Sequence, residues 1–343
     1  MTTTSQAPAR RRDHGAAGDV VAVACRAPSG HNTQPWRWRV TGRTVELYAD
    51  EARRLPHADP QGRDLYLSCG AALHHAQVAA RGLGWSPTVH RWPHGPDSRL
   101  LARITLDPFE PTARDLALLE ALHERRTDRR RFTAWPVRGA RLERLAAVAR
   151  EQQGDAVALH DVVDRLRVER LVGRAAAVQA ADAALVAEHR RLTDRRSADG
   201  VPGHLVPAAG DPFHRRPCAA GGRLPGAEPD LETTDGMVVL CGQDDGPQAW
   251  CATGEALGVL WLHAVLDGLA VVPLSQVVAV DATRASLQHE VLRGAAVPHL
   301  LLRVGWRALS EGQLPSSPRR PLADVLMARP GPSCVGGADH ERT

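Results

Sequence analysis

The sequence predicts an α+β protein made of two tandem halves packed as a pseudo-dimer around central helices. Three observations predict it. The 343 residues, 43% hydrophobic, are too many for one ordinary core and enough for two packed halves. The order strand, helix, strand, strand occurs twice. A helix ends at Gly82-Leu83-Gly84, and another at Gly268-Leu269-Ala270, 186 residues further on. Identity between the two series is low, so the repeat is one of architecture more than of sequence.

Residues 1–18 are polar and Arg-rich, have no apolar centre, and read as a flexible tail rather than a secretory signal. The first half is assigned to residues 19–110. Residues 44–49 alternate as a strand. Residues 64–81 carry Leu65, Cys69, Ala72, Leu73, Ala76 and Ala80 at helical spacing, and strands are expected at 88–92 and 100–106. The second half is assigned to 111–310. Helices are expected at 114–124, 141–151 and 164–190. The last is rich in Ala, Leu and Val and is expected to be a central buried helix. A strand at 237–241, a helix at 253–267 and strands at 271–273 and 299–305 follow. Residues 191–232, rich in Gly, Pro, Arg and Asp, are too long for an ordinary connection. They read as a lid over a site or as a surface excursion. Residues 311–325 form a C-terminal arm and 326–343 a second flexible tail.

Composition excludes several classes. All 43 basic residues are Arg, yet the net charge is only +4 and acidic residues are interspersed, so no nucleic-acid partner is expected. No run of about 18 apolar residues occurs, so no membrane partner is expected and the chain is expected in the cytoplasm. The six Cys (Cys25, Cys69, Cys218, Cys241, Cys251 and Cys334) include no CxxC pair, and no metal site is expected. There is no G-x-G-x-x-G fingerprint of a dinucleotide-binding domain.

Two segments carry chemistry. Pro28-Ser29-Gly30-His31-Asn32-Thr33-Gln34-Pro35-Trp36 combines breakers with short hydrogen-bonding side chains and, taken alone, is a capped loop leading into a strand. Arg125-Arg126-Thr127-Asp128-Arg129-Arg130-Arg131 places five Arg in seven residues. Such a run is usually a solvated face, but the planar Arg fork also suits phosphate oxygens.

Together these segments resemble the nitroreductase family, and in particular its single-chain, Acg-like FMN-binding members. The resemblance covers most of residues 20–325. Family members open with an Arg box and follow with a Pro-Ser-x-x-Asn-x-Gln-Pro-Trp loop that contacts the flavin of the partner subunit. Here the loop comes first and the box second, as expected if two copies are fused and the second copy's box meets the first copy's loop. The resemblance therefore implies a nitroreductase-like fold in each half, one FMN per chain and a monomer. It implies that Arg125 and Thr127 hold the phosphate or ribityl chain, that Arg126 belongs to the same cofactor-binding box and that Arg129 lies at the flavin pyrimidine edge. Pro28, Ser29, Gly30 and Asn32 line the opposite side. Ser275 and Gln276 offer backbone contacts near flavin N5, and Arg319 or Arg320 closes the phosphate site. No side chain is needed as a catalytic nucleophile, because the flavin carries the chemistry. The implied activity is hydride transfer from NAD(P)H, as small-molecule donor, through the flavin to a nitro compound, quinone or similar acceptor. The alternative is a protein that sequesters FMN beneath its lid with little or no turnover.

Overall fold

The computed structural model describes residues 7–130, 132–193, 197–206, 235–307, 312 and 314–328. Helix α1 (Ala7–Ala24) begins inside the segment expected to be a flexible tail. Ala17, Val20, Val21 and Ala24 are fully buried at helical spacing, and this stripe docks the helix on the first half. Strands β1 (Trp36–Thr41) and β2 (Thr44–Ala49) form a hairpin that turns at Gly42, whose φ of 58° is the left-handed value such a tight turn requires. Helix α2 (Arg63–Gly82) and strands β3 (Trp85–Arg91) and β4 (Leu100–Pro108) complete the half. Helices α3 (Ala113–Glu124) and α4 (Gly139–Arg150) lead to β5 (Asp155–Leu159), followed by α5 (Val162–Ala181) and α6 (Ala183–Leu192). Then come β6 (Gly236–Gly242), α7 (Pro247–Leu266), β7 (Leu269–Leu274), the short α8 (Gln276–Ala279) and α9 (Asp281–Ser286), and β8 (Val297–Trp306). A single turn, α10 (Leu322–Val325), lies in the arm.

The two sheets repeat one topology. Their strand orders are β1-β2-β4-β3 and β5-β6-β8-β7, antiparallel throughout, and each has a register shift at the matching place, at Leu47/Tyr48 and at Leu240/Cys241. The halves differ at one turn. The β1–β2 hairpin closes in two residues, whereas the corresponding connection between β5 and β6 contains α5, α6 and the lid candidate. This insertion changes the second sheet. Met237, Val239 and Cys241 face one apolar cluster and Val238 and Leu240 the other, so β6 is buried on both faces. In the first sheet β2 keeps a polar face, where Glu46 and Tyr48 meet Arg39 and Arg103. That face is why its alternation was legible in the sequence.

Helix α5 is not the central helix expected from its composition. It buries one stripe, Val168, Leu171, Val172, Ala175 and Ala176, on the outer face of the second sheet and leaves Val162, Val163, Leu166 and Val178 exposed. The expected helix over 164–190 also breaks at Asp182. Its carboxylate accepts hydrogen bonds from the amides of Ala184 and Leu185 and so starts α6 as a new helix.

The centre is the crossing of α2 and α7, one helix from each half. Helix α7 is long and apolar enough to cross a membrane by length and composition alone, but 72% of its 18-residue apolar window is buried inside the protein. Glycines set the approach. A Cβ on Gly70 would lie 1.9 Å from the Cys251 carbonyl oxygen, and one on Gly254 would lie 2.1 Å from that of Leu67. The four described cysteines, Cys25, Cys69, Cys241 and Cys251, are buried free thiols. Cys218 and Cys334 lie outside the described residues, as do 194–196 and 207–232 of the lid candidate. Of the expected tail 326–343, residues 326–328 are described. Leu326 bridges Trp38 of β1, and the Met327 amide donates to the Trp38 carbonyl at 2.7 Å.

Candidate functional site

A cleft of about 1160 Å³, counting its open mouth, lies where the halves meet. The loop before β1 forms one wall. Pro28 and Pro35 stop helix formation, and the loop takes a strained path in which His31, Asn32 and Gln34 all have positive φ, at 49°, 56° and 51°. Hydrogen bonds hold that strain. The Gln34 amide donates to Ser29 Oγ at 3.0 Å, the Gly30 amide to Ser68 Oγ at 3.2 Å, and Thr33 Oγ1 to the Gly30 carbonyl at 2.9 Å.

The opposite wall is the run that follows α3. Arg125 ends that helix, and Arg125, Arg126, Thr127 and Arg129 all line the cleft. A box in the second half and a loop in the first thus share one cleft within a single chain. Leu67, Leu257, Trp261 and Leu300 make the apolar floor, and Arg319 reaches in from the arm.

Four guanidiniums, Arg26, Arg125, Arg126 and Arg319, crowd one end. Burial, and then Arg319, Arg126 and Arg26, push the Arg125 pKa well below the usual arginine value. Burial, and then Arg26, push Arg319 down to about 10. None of the four has a carboxylate within ion-pair distance among the described residues. Of the titratable groups beside them, Glu124 offsets part of the repulsion at Arg126, whereas Cys25 and His75 supply no negative charge. Burial pushes the Cys25 thiol up to about 11, and burial together with Arg125 keeps His75 neutral. The Nε atoms of Arg26, Arg125 and Arg126 are buried without a hydrogen-bond partner. Arg125 donates only through Nη2, to the Arg26 carbonyl at 3.0 Å, and its guanidinium lies 4.7 Å from the Trp261 ring centroid. A cluster of partly and fully buried cations with unused donors suits an anion.

Ten of the twelve expected site residues line the cleft: Pro28, Ser29, Gly30, Asn32, Arg125, Arg126, Thr127, Arg129, Ser275 and Arg319. Gln276 and Arg320 do not. Gln276 is buried at the start of α8, and Arg320 turns to the loop, donating through its amide to Gln34 Oε1 at 2.9 Å and through Nη1 to the Gln34 carbonyl. Sequence reasoning missed Arg26, although it stands two residues before Pro28. It also missed Asp64 and Ser68 on α2 and Leu257 and Trp261 on α7, which sit in helical runs without a motif.

The described part of the lid candidate lies against the cleft. Val201 and Leu205 line it. Asn32 Nδ2 donates to the Gly200 carbonyl at 2.9 Å and Gln34 Nε2 to the Ala198 carbonyl at 2.8 Å. Arg53 pairs with Asp199, and Arg129 Nη1 donates to the Leu205 carbonyl at 3.3 Å. Helix α6 anchors the cover on the first half, because the buried Glu188 carboxylate accepts from the amides of His57 and Ala58.

No family model matches the chain. It is 38% identical over 312 residues, 90% of each chain, to a Mycobacterium tuberculosis H37Rv protein provisionally named NAD(P)H nitroreductase Rv3131. It is 31% identical over 333 residues, 90% of this chain and 95% of the other, to the protein of the same strain provisionally named NAD(P)H nitroreductase acg. Among solved structures, a nitroreductase with bound FMN from Bacteroides fragilis aligns over 65% of this chain and 98% of its own, at 12% identity and a TM-score of 0.39. Two relatives above 30% identity, each matched along nine-tenths of this chain, establish that it belongs to the nitroreductase family and, within it, to the Acg-like proteins.

Proposed function

We propose that this chain binds one FMN and uses it as an NAD(P)H-dependent oxidoreductase acting on a nitro compound, quinone or similar acceptor. The observation that carries the reading is the cluster of four guanidiniums with no carboxylate at ion-pair distance among the described residues, three of which, Arg26, Arg125 and Arg126, have a buried Nε without a partner. A phosphate monoester is a dianion with three acceptor oxygens and would satisfy both the charge and the donors. Arg26, Arg125 and Arg126 have donors to give it. Arg319 spends its own on the carbonyls of Cys25, Arg26 and Ala27 and on Asn32, and so contributes charge.

Bound FMN would supply two-electron hydride chemistry. The chain's residues would hold and tune it. Leu67, Leu257, Trp261 and Leu300 exclude water from the floor of the cleft. Arg129, half-buried in the same cleft, is a fixed cation whose field favours a neighbouring ring that gains electrons. Donor and acceptor would use one open face in turn, which gives ping-pong kinetics.

A second reading, retention of FMN with little turnover, is favoured by one observation: Val201 and Leu205 roof the cleft, and four polar contacts tie their segment down. Anaerobic mixing of the FMN-loaded protein with NADPH and then NADH separates the two readings. Bleaching of the flavin absorbance supports turnover. Persistent colour that only dithionite bleaches rejects turnover in favour of retention, and failure of the protein to take up FMN sinks both.

A further inference from the structure

Asn32 is 7% exposed and every polar atom of its side chain is engaged. Arg319 Nη1 donates to Oδ1 at 3.0 Å, while Nδ2 donates to the Gly200 carbonyl of the cover at 2.9 Å and to the Pro318 carbonyl of the arm at 3.1 Å. The chemistry fixes the orientation of the amide. A guanidinium has only donors, so Oδ1 must face Arg319. Carbonyls only accept, so Nδ2 must face Gly200 and Pro318. The loop geometry that presents this amide is the left-handed backbone at Asn32, a conformation Asn tolerates better than most residues.

Three separate parts of the chain therefore meet on one amide: the arm that carries a cation of the arginine cluster, the strained loop, and the cover. We propose that Asn32 is a positioning residue that couples occupancy of the arginine cluster by a phosphate group to closure of the segment 197–206 over the cleft. Without an anion, Arg319 sits among like charges and the arm is held against their repulsion. An anion removes that repulsion and so strengthens the hold that Arg319 already has on Asn32. Arg319 then fixes the amide, and the amide holds Gly200. Gln34 reinforces the link in parallel, since its Nε2 donates to the Ala198 carbonyl while its Oε1 accepts from the Arg320 amide of the arm. The coupling is reciprocal, so closure of the cover tightens the hold on phosphate. The inference rests on the proposed anion site and adds to it that phosphate is a signal as well as an anchor.

The test uses the full apo chain and inorganic phosphate as the probe. Binding is measured by calorimetry, and hydrogen–deuterium exchange is followed at residues 198–205 and 314–320. In the wild type, saturating phosphate is expected to slow exchange in both segments by about tenfold or more. In Asn32→Ala, phosphate still binds but the cover is no longer protected, and FMN binding weakens by about tenfold, as for the loss of an amide bonded to a charged group. Asn32→Asp is the second variant. It keeps the acceptor for Arg319 and removes both donors, so the arm should be protected and the cover not. Phosphate binding without protection of 198–205 in the wild type overturns the coupling and leaves the anion site standing. So does protection that survives in both variants. A chain that binds no phosphate overturns the coupling and the anion site together.

Discussion

Replacing Arg125 by alanine should raise the FMN dissociation constant by about 30-fold to several thousand-fold, the ~2–5 kcal/mol expected when one partner of a buried charge-assisted contact is removed. The residue is 6% exposed, its Nε has no protein partner, and its guanidinium is stacked on Trp261. The sign for the apo protein is different. There Arg125 is one of four mutually repelling cations, so its loss relieves repulsion while forfeiting the packing of its stem. The melting temperature without FMN should therefore change little, while the rise on adding FMN shrinks. Flavin fluorescence titration and paired melts measure both. An unchanged dissociation constant would remove Arg125 from the site, and an equal fall in both melting temperatures would make its role structural.

Gly254→Val should destabilise the chain by about 3 kcal/mol, the upper end for overpacking a close contact. The new Cβ would fall 2.1 Å from the Leu67 carbonyl oxygen and 2.9 Å from the Ala71 amide, and both are backbone atoms that cannot rotate away. Helices α2 and α7 would have to move apart. Because Leu67 and Ser68 on one and Leu257 and Trp261 on the other line the cleft, FMN affinity should fall with stability. Gly173, on α5, is the contrast. Nothing lies within 4 Å of its would-be Cβ, so Gly173→Ala should stabilise by roughly 0.5–1 kcal/mol through helix propensity. Urea unfolding of the two variants measures the difference. A neutral Gly254→Val would mean the crossing is looser than its geometry implies.

Helix α2 was legible because its apolar residues recur at helical spacing and its end is marked by Gly82. Helix α7 was placed six residues too late, because Gly246-Pro247 reads as a breaker although proline is well suited to a helix's first turn. Helix α1 was hidden by its Arg-rich start and by Gly15 and Gly18, and its docking stripe, Ala17, Val20, Val21 and Ala24, is short. The break at Asp182 was invisible, since the apolar spacing of α5 continues into α6 and only the capping bonds reveal it. Strand β5 is five residues at a sheet edge, too short for its pattern to stand out from the preceding helix.

Residue order and spacing were enough to read the family, the two-half architecture, and the pairing of an Arg run with a Pro-Ser-x-x-Asn-x-Gln-Pro-Trp loop in reversed order. Those depend on residue identity and local spacing, which a sequence displays. The folded chain was needed to show that Arg26 joins Arg125, Arg126 and Arg319 in one cluster with no carboxylate at ion-pair distance among the described residues. It alone turned Asn32 and Gln34 toward main-chain carbonyls 168 and 164 residues away. A carbonyl acceptor is present at every residue, so such a partner leaves no mark in the sequence. Like-charge burial is likewise a property of the assembled cleft and of no single segment.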